Sequence, residues 1–199
     1  MNNLTHCTVD IETRGKYDSC IITRIAITPF RFDEGIVPYD DLVKRTLYIS
    51  LNQEEQRLAG RTEEKDTMEW WNSQPEHVRE ESLNETQNDL SIVDAFAEIK
   101  RFLNRWHYNH YESIIWARNN GFECFKIQSL NDQFLPGTKH VLNHWNWHEL
   151  KTANLILTGG ETSKYNPSDF KELNFDAHNA IHDAAMDTYR LLHLWHQDF

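Results

Sequence analysis

Four carboxylates and one histidine, scattered along the chain, have the types and spacing to do chemistry together: Asp10, Glu12, Glu123, Asp183 and His178. Asp10 and Glu12 stand two apart in Cys7-Thr8-Val9-Asp10-Ile11-Glu12-Thr13, where Cys7, Val9 and Ile11 alternate with Thr8, Asp10 and Glu12. A period of two belongs to a strand, and it sends both carboxylates to one face with the apolar set behind them. Like charges at neighbouring same-face positions disfavour each other's ionisation unless a cation lies between them. A divalent metal would supply that cation. An edge strand with its acids in water would need none, and a motif this short admits both readings.

The other members must be brought to this strand by elements further along. Ser113-Ile114-Ile115-Trp116-Ala117 reads as a short buried strand, Arg118-Asn119-Asn120-Gly121 as the turn after it, and Phe122 to about Asn131 as a helix. Glu123 then falls in a first helical turn directly beyond a strand, where α/β proteins commonly gather site residues. Asp183 sits near the start of a final helix lined by Ile181, Ala184, Ala185, Thr188, Leu191, Leu192 and Trp195, up to about His196. His178 precedes Asp183 by five residues. In one regular helix the two would point about 140° apart, so His178 is expected at or before the helix start, with the freedom a base beside a metal needs.

Around these elements, Cys20 to Phe30 reads as a second strand that Pro29 helps to end, and Thr46 to Leu51 as a third. Short polar connections between them suggest an antiparallel opening to the sheet. Asn52 to Glu64 is polar and charged, and is expected to be a surface loop without assignable structure. Asp66 with Glu69 fits a helix start, and the segment carries Met68, Trp70 and Trp71 up to Gln74-Pro75. The tryptophans suit a core, or a stacking surface for a flexible strand. A helix from about Ser91 to Trp106 is the clearest, with Ile92, Phe96, Ile99, Leu103 and Trp106 at helical spacing and Ser91 as N-cap. Phe134 to Leu157 is ambiguous between strand and helix, and Thr158 to Ser168 reads as a loop.

With 199 residues the chain fits one domain, residues 1–199, with room for a sizeable core. It is 39% hydrophobic and 26% charged, as a globular protein is, and has no apolar run long enough to span a bilayer. The N-terminus lacks the basic and apolar regions of a signal peptide, so a cytoplasmic location and no membrane partner are expected. Cys7, Cys20 and Cys124 are odd in number and lack metal-site spacing, which argues for reduced thiols. A net charge of −11 argues against coating DNA by bulk electrostatics. An enzyme acting on nucleic acid stays open, because bound divalent ions would cancel a local acidic cluster.

These residues resemble a known family. Val9-Asp10-Ile11-Glu12-Thr13 is similar to the first exonuclease motif of the DEDD superfamily, and His178-Asn179-Ala180-Ile181-His182-Asp183-Ala184 to its last motif in the DEDDh form, His-x4-Asp. Within that group the likeness is strongest to phage DexA-type 3′–5′ exonucleases, through Thr67-Met68-Glu69-Trp70-Trp71, Trp116-Ala117-Arg118 with Phe122-Glu123, and Ala177-His178 with Ile181-His182-Asp183, in the family's order. The resemblance implies an α/β fold of ribonuclease-H-like type, a mixed sheet with its first three strands antiparallel and helices on its faces. It also implies a metal-dependent 3′–5′ exonuclease that hydrolyses phosphodiester bonds from the 3′ end of single-stranded nucleic acid, DNA favoured and RNA possible, in the host cytoplasm if phage-encoded. Carried over, Asp10 would bridge two divalent ions, Mg²⁺ or Mn²⁺, Glu12 and Asp183 would hold the one that activates water, Glu123 would support the second, and His178 would be the general base. Oxygen ligands suit those ions, and an imidazole with a pKa near 6.5 accepts a proton near neutrality.

The candidate substrate contacts are Thr13, Arg14, Trp70, Arg118, Phe122 and Lys151. Surface charge is the plain alternative for Arg14 and Arg118, as for Lys16 and Lys126. Two positions depart from the family. Glu123 stands where Asp is usual, one methylene longer, and Lys151 lies in Glu149-Leu150-Lys151-Thr152 where Asp-x-Arg-Thr is commoner, offering phosphate a point charge without arginine's fork. The Glu123 change motivates a competing reading, a catalytically impaired nucleic-acid- or partner-binding module on the same fold. His182 adjoins Asp183, but the spacing favours His178 as base and leaves His182 a supporting or solvent role. Oligomeric state has no signal in the sequence.

Overall fold

A computed structural model describes residues 4–160, 172–173 and 175–196. In chain order the elements are β1 (His6–Thr13), β2 (Ile22–Phe30), α1 (Tyr39–Arg45), β3 (Leu47–Ser50), α2 (Gln53–Leu58), α3 (Lys65–Asn72), α4 (Glu76–Leu83), α5 (Ile92–Arg105), β4 (Ile115–Ala117), α6 (Asn120–Phe134), β5 (Trp147–Glu149), α7 (Leu150–Leu157) and α8 (Ala180–Trp195). The sheet runs β3-β2-β1-β4-β5. Its first three strands are antiparallel, as expected, and β4 and β5 join parallel to β1 and to each other.

β1 is the central strand, so its two faces are both covered. Cys7, Val9 and Ile11 enter the main apolar core with Ile92, Phe96, Ile99 and Leu103 of α5 and Ile127 and Leu130 of α6. That α5 stripe, and Ser91 as cap through its Oγ accepting the Asp94 N–H at 3.1 Å, follow the sequence pattern. The opposite face of β1, carrying Thr8, Asp10 and Glu12, meets α8. Small residues set the closeness of that approach: Ala26 of β2, the register partner of Asp10, packs with Ala180 and Ala184. The Thr8 hydroxyl bonds the Ala184 carbonyl at 2.7 Å and the Thr188 hydroxyl at 2.6 Å, which fixes helix against strand below the two acids.

Several expectations change. The stretch expected as a structureless loop contains α2, which docks by side-chain amides rather than an apolar stripe: Gln56 Oε1 accepts the Ile22 N–H at 2.9 Å and its Nε2 donates to the Ile22 carbonyl at 2.7 Å. The β2–β3 connection holds α1, with Tyr39 and Leu42 buried, and so is not merely polar. The ambiguous stretch resolves into a three-residue strand, β5, followed by α7. The paired tryptophans divide, Trp71 only 1% exposed and Trp70 42%. The expected loop at 158–168 lies outside the described residues beyond 160. All three cysteines are buried free thiols.

Candidate active site

Asp10, Glu12 and Asp183 converge, one carboxylate oxygen from each lying within 4.8 Å of the others. β1 supplies the first two from its α8-facing side. Asp183 arrives in the first turn of α8, whose N-cap Asn179 accepts the Ile181 N–H on its side-chain oxygen at 3.2 Å. Its orientation is held from outside the helix, since the His178 backbone N–H donates to Asp183 Oδ2 at 2.7 Å. Burial and the mutual repulsion of Asp183, Glu12 and Glu123 hold the Asp10 carboxyl well above the usual range, and burial does the same to Glu12, offset in part by the cross-strand Arg24. Asp183 is pushed up to about 7, first by burial and then by Asp187. Like charges gathered this closely resist ionisation without a counter-ion.

Glu123 sits in the first turn of α6, 5% exposed, and is not one of the three residues within 4.8 Å. Its charge still reaches Asp10, which it helps to raise. Burial pushes its own carboxyl up to about 8, and its Oε2 is buried with no hydrogen-bond partner. An orphaned carboxylate oxygen beside three converging acids is a donor set of hard oxygens, which fits Mg²⁺ or Mn²⁺ and would suit neither a soft metal nor an anion.

His178 lies two residues before α8, as its spacing implied, with a left-handed backbone at φ 64°. The Ser82 hydroxyl donates to its carbonyl at 2.7 Å, and its exposed ring meets the Trp70 ring edge-on at 5.0 Å between centroids. Partial burial holds its imidazole below the ordinary value of 6.5. His182 points elsewhere, sharing a 2.6 Å hydrogen bond with the Tyr39 hydroxyl through Nδ1.

Beside the acids lies a pocket of about 370 Å³, lined among others by Glu12, Thr13, Gly15, Trp70, Trp71 and Phe122. Its floor is built tightly: the Trp71 indole N–H donates to the Thr13 carbonyl at 2.9 Å and the Thr13 hydroxyl to the Gly15 carbonyl at 2.7 Å. Gly15 is required by close approach, since a Cβ there would lie 2.6 Å from Glu64 Oε1 and 2.7 Å from Cys20 Cβ. Lys126, 1% exposed, donates to the Lys16 carbonyl at 2.6 Å and lies 3.5 Å over the Phe122 ring.

The candidate cations are placed differently from one another. Arg14 turns to protein groups, Gln53 Oε1 at 2.5 Å, the Leu83 carbonyl at 3.1 Å and Glu63 at 3.4 Å. Arg118 pairs with buried Asp187, which also holds Arg190 at 3.2 Å. Lys151 is exposed in the first turn of α7, close enough for its charge to lower the Glu123 carboxyl. Asp187 is a neighbour of the site that sequence reasoning misses. It lies four residues after Asp183, on the same helical face, and its charge raises Asp10, Glu123 and Asp183. That spacing was the available signal.

Over residues 5–195 the chain matches the model of a family described as the 3′–5′ exoribonuclease Rv2179c-like domain. No curated protein matches it in sequence. Among solved structures it is similar to exonuclease I, in a study of how processivity is achieved, with TM-score 0.56 and 12% identity over 96% of this chain and 42% of that one. A second similar structure, E. coli exonuclease I in complex with a dT13 oligonucleotide, gives TM-score 0.55 and 12% identity over 96% and 40%. The chain therefore spans about two-fifths of the exonuclease I chains it matches, and the likeness to them is one of fold. The family match bears out the 3′–5′ exonuclease reading and the structural likeness the ribonuclease-H-like sheet, without the narrower DexA likeness. With a family model covering nearly its whole length, the chain belongs to the 3′–5′ exoribonuclease Rv2179c-like domain family.

Proposed function

We propose that the chain is a single-domain, metal-dependent exonuclease that removes mononucleotides from the 3′ end of single-stranded nucleic acid, with DNA favoured and RNA also accepted. The observation that carries this reading is the approach of Asp10, Glu12 and Asp183 to within 4.8 Å of one another, beside a histidine and an aromatic pocket.

Asp10, Glu12 and Asp183 would hold the cations, with Glu123 supporting a second from its buried position. When bound, a pair of divalent ions supplies an acidified water and stabilises charge on the leaving oxygen. His178 takes the water's proton on its imidazole. Its lowered pKa keeps the ring neutral, and so able to accept, at pH 7. Trp70 and Phe122 line the pocket and would stack on the terminal base, with Thr13 shaping its floor. The water oxygen bonds to phosphorus as the bond from phosphorus to the 3′ oxygen breaks, and a nucleoside 5′-monophosphate leaves. Lys151, exposed and within electrostatic reach of Glu123, would meet a phosphate there. Arg118 would do so only at the expense of Asp187.

Shortening of a 5′-labelled oligonucleotide in Mg²⁺ or Mn²⁺, on matched DNA and RNA strands, tests the proposal. His178→Ala should lower the rate by about 10²–10⁴-fold, the usual contribution of a positioned base. No metal-dependent shortening of either strand would refute it. A second reading, a binding module with impaired turnover, is favoured by Glu123 lying outside the close cluster. It expects Mn²⁺ binding without hydrolysis, and recovery of cleavage in Glu123→Asp.

A further inference from the structure

We propose a second binding site for single-stranded nucleic acid on the face formed by the segments that enter β4 and β5. Tyr111 and Trp145 are large aromatic side chains left 79% and 55% exposed there, around a cavity of about 640 Å³. Lys100, Lys139, His110 and His144 line the same cavity, and its lining contains no carboxylate although the chain carries a net charge of −11. Two acids border it, each hydrogen-bonded to a neighbour. Asp132 lies 2.6 Å from His140 Nε2, and Glu112 accepts the Asn109 amide at 2.6 Å.

The surface is built rather than loose. Asn143 and Asn146 both donate to the His110 carbonyl, at 3.0 and 2.9 Å, which ties the segment before β4 to the one before β5. A 3₁₀ turn at His144–Asn146 presents Trp145, with the His144 ring edge-on at 4.8 Å. Exposed rings flanked by lysines, with no carboxylate in the lining itself, suit a ligand that offers flat bases and phosphates together. An apolar protein partner would not call for the lysines.

This surface is remote from the catalytic acids. Cys7 pairs with Ile115, and Asp10 and Glu12 lie three and five residues further along β1, while the aromatic segments lie at the opposite end, before β4 and β5 begin. At about 3.3 Å per residue the separation is roughly 15–20 Å. A single strand at about 3.4 Å or more per nucleotide needs on the order of six nucleotides to bridge it. Short oligonucleotides would meet only one site, and longer ones both, with a gain from tethering. The proposal takes its ligand class from the function proposed above, but not its geometry.

Fluorescence anisotropy with labelled dT20, U20 and dT4, in EDTA so that no cleavage intervenes, tests it. Tyr111→Ala/Trp145→Ala should weaken binding of dT20 or U20 by roughly tenfold or more, the scale of lost base stacking, and leave cleavage of dT4 in Mn²⁺ unchanged. Lys100→Ala/Lys139→Ala should weaken the same binding and flatten its salt dependence. Affinity for both long strands within twofold of wild type in both variants, or no binding of either by the wild type, would overturn the proposal. If dT20 binding depends on Trp145 while no oligonucleotide is cleaved, the second site stands and the exonuclease reading falls. Cleavage of dT4 with unaltered dT20 binding gives the reverse.

Discussion

Glu123→Gln is expected to stabilise the metal-free protein at neutral pH. Burial raises the native carboxyl from 4.5 to about 8, so the folded state binds a proton that the unfolded chain has released. The sign follows from linkage: stability contributed by this group is fully present below pH 4.5 and is lost as pH rises toward 8. At roughly 1.4 kcal/mol per pH unit, holding that proton has cost about 3 kcal/mol by pH 7. Glutamine has the same shape and never ionises. Its amide brings donors to a place where Oε2 already lacks a partner, an offset of ~1–2 kcal/mol. The net expectation is a variant about 1–2 kcal/mol more stable than wild type at pH 7, with the difference shrinking or changing sign by pH 5. Urea unfolding of both proteins in EDTA at several pH values measures it, because contributions from titrating groups not coupled to Glu123 cancel in the difference. A difference that does not change with pH, or a variant less stable throughout, would refute the reasoning about the buried acid.

Two further outcomes follow from the packing. His6 is 2% exposed, its Nδ1 accepts the Ile114 N–H at 3.0 Å, and burial lowers its pKa from 6.5 to about 4. At this position the native state therefore binds fewer protons, and the stability of wild type relative to His6→Gln should fall by about 2–3 kcal/mol as pH drops from 6.5 to 4, read as a difference between the two in denaturant titrations; a difference that does not change with pH would contradict this. Gly15→Ala should destabilise by roughly 1–3 kcal/mol, because the new Cβ displaces Glu64 from the Lys16 and Tyr17 N–H groups. A change under about 0.5 kcal/mol in urea unfolding would show that the turn yields freely.

The parts of this fold that could be read from the sequence are those with a strong period or a local chemical signal. β1 alternates because one face meets the α5–α6 core and the other carries the acids, and α5 and α8 show stripes because each buries one side. The five-residue spacing from Asp183 is enough to set His178 ahead of α8, where it lies with a left-handed φ of 64° that a right-handed helix excludes. α2 was invisible because Gln53 and Gln56 dock it through amides, leaving no apolar period. β5 is three residues long, too short for alternation to register. At the site, residue types and spacing single out the acids but not how closely each approaches: Asp183 joins Asp10 and Glu12, while the longer Glu123 stands back. Nor did they show that Asp187 already occupies Arg118, a pairing made across 69 residues of sequence.

The most direct test of the proposed metal centre is a calorimetric titration of the metal-free protein with Mn²⁺, run in parallel on wild type and Asp10→Asn. The wild type should bind, and the variant should lose more than the roughly 10–100-fold that outer-shell changes remove from metal affinity. Equal Mn²⁺ affinity in the two proteins, or no detectable binding by either, would contradict the assignment of Asp10, Glu12 and Asp183 as the ligands on which catalysis depends.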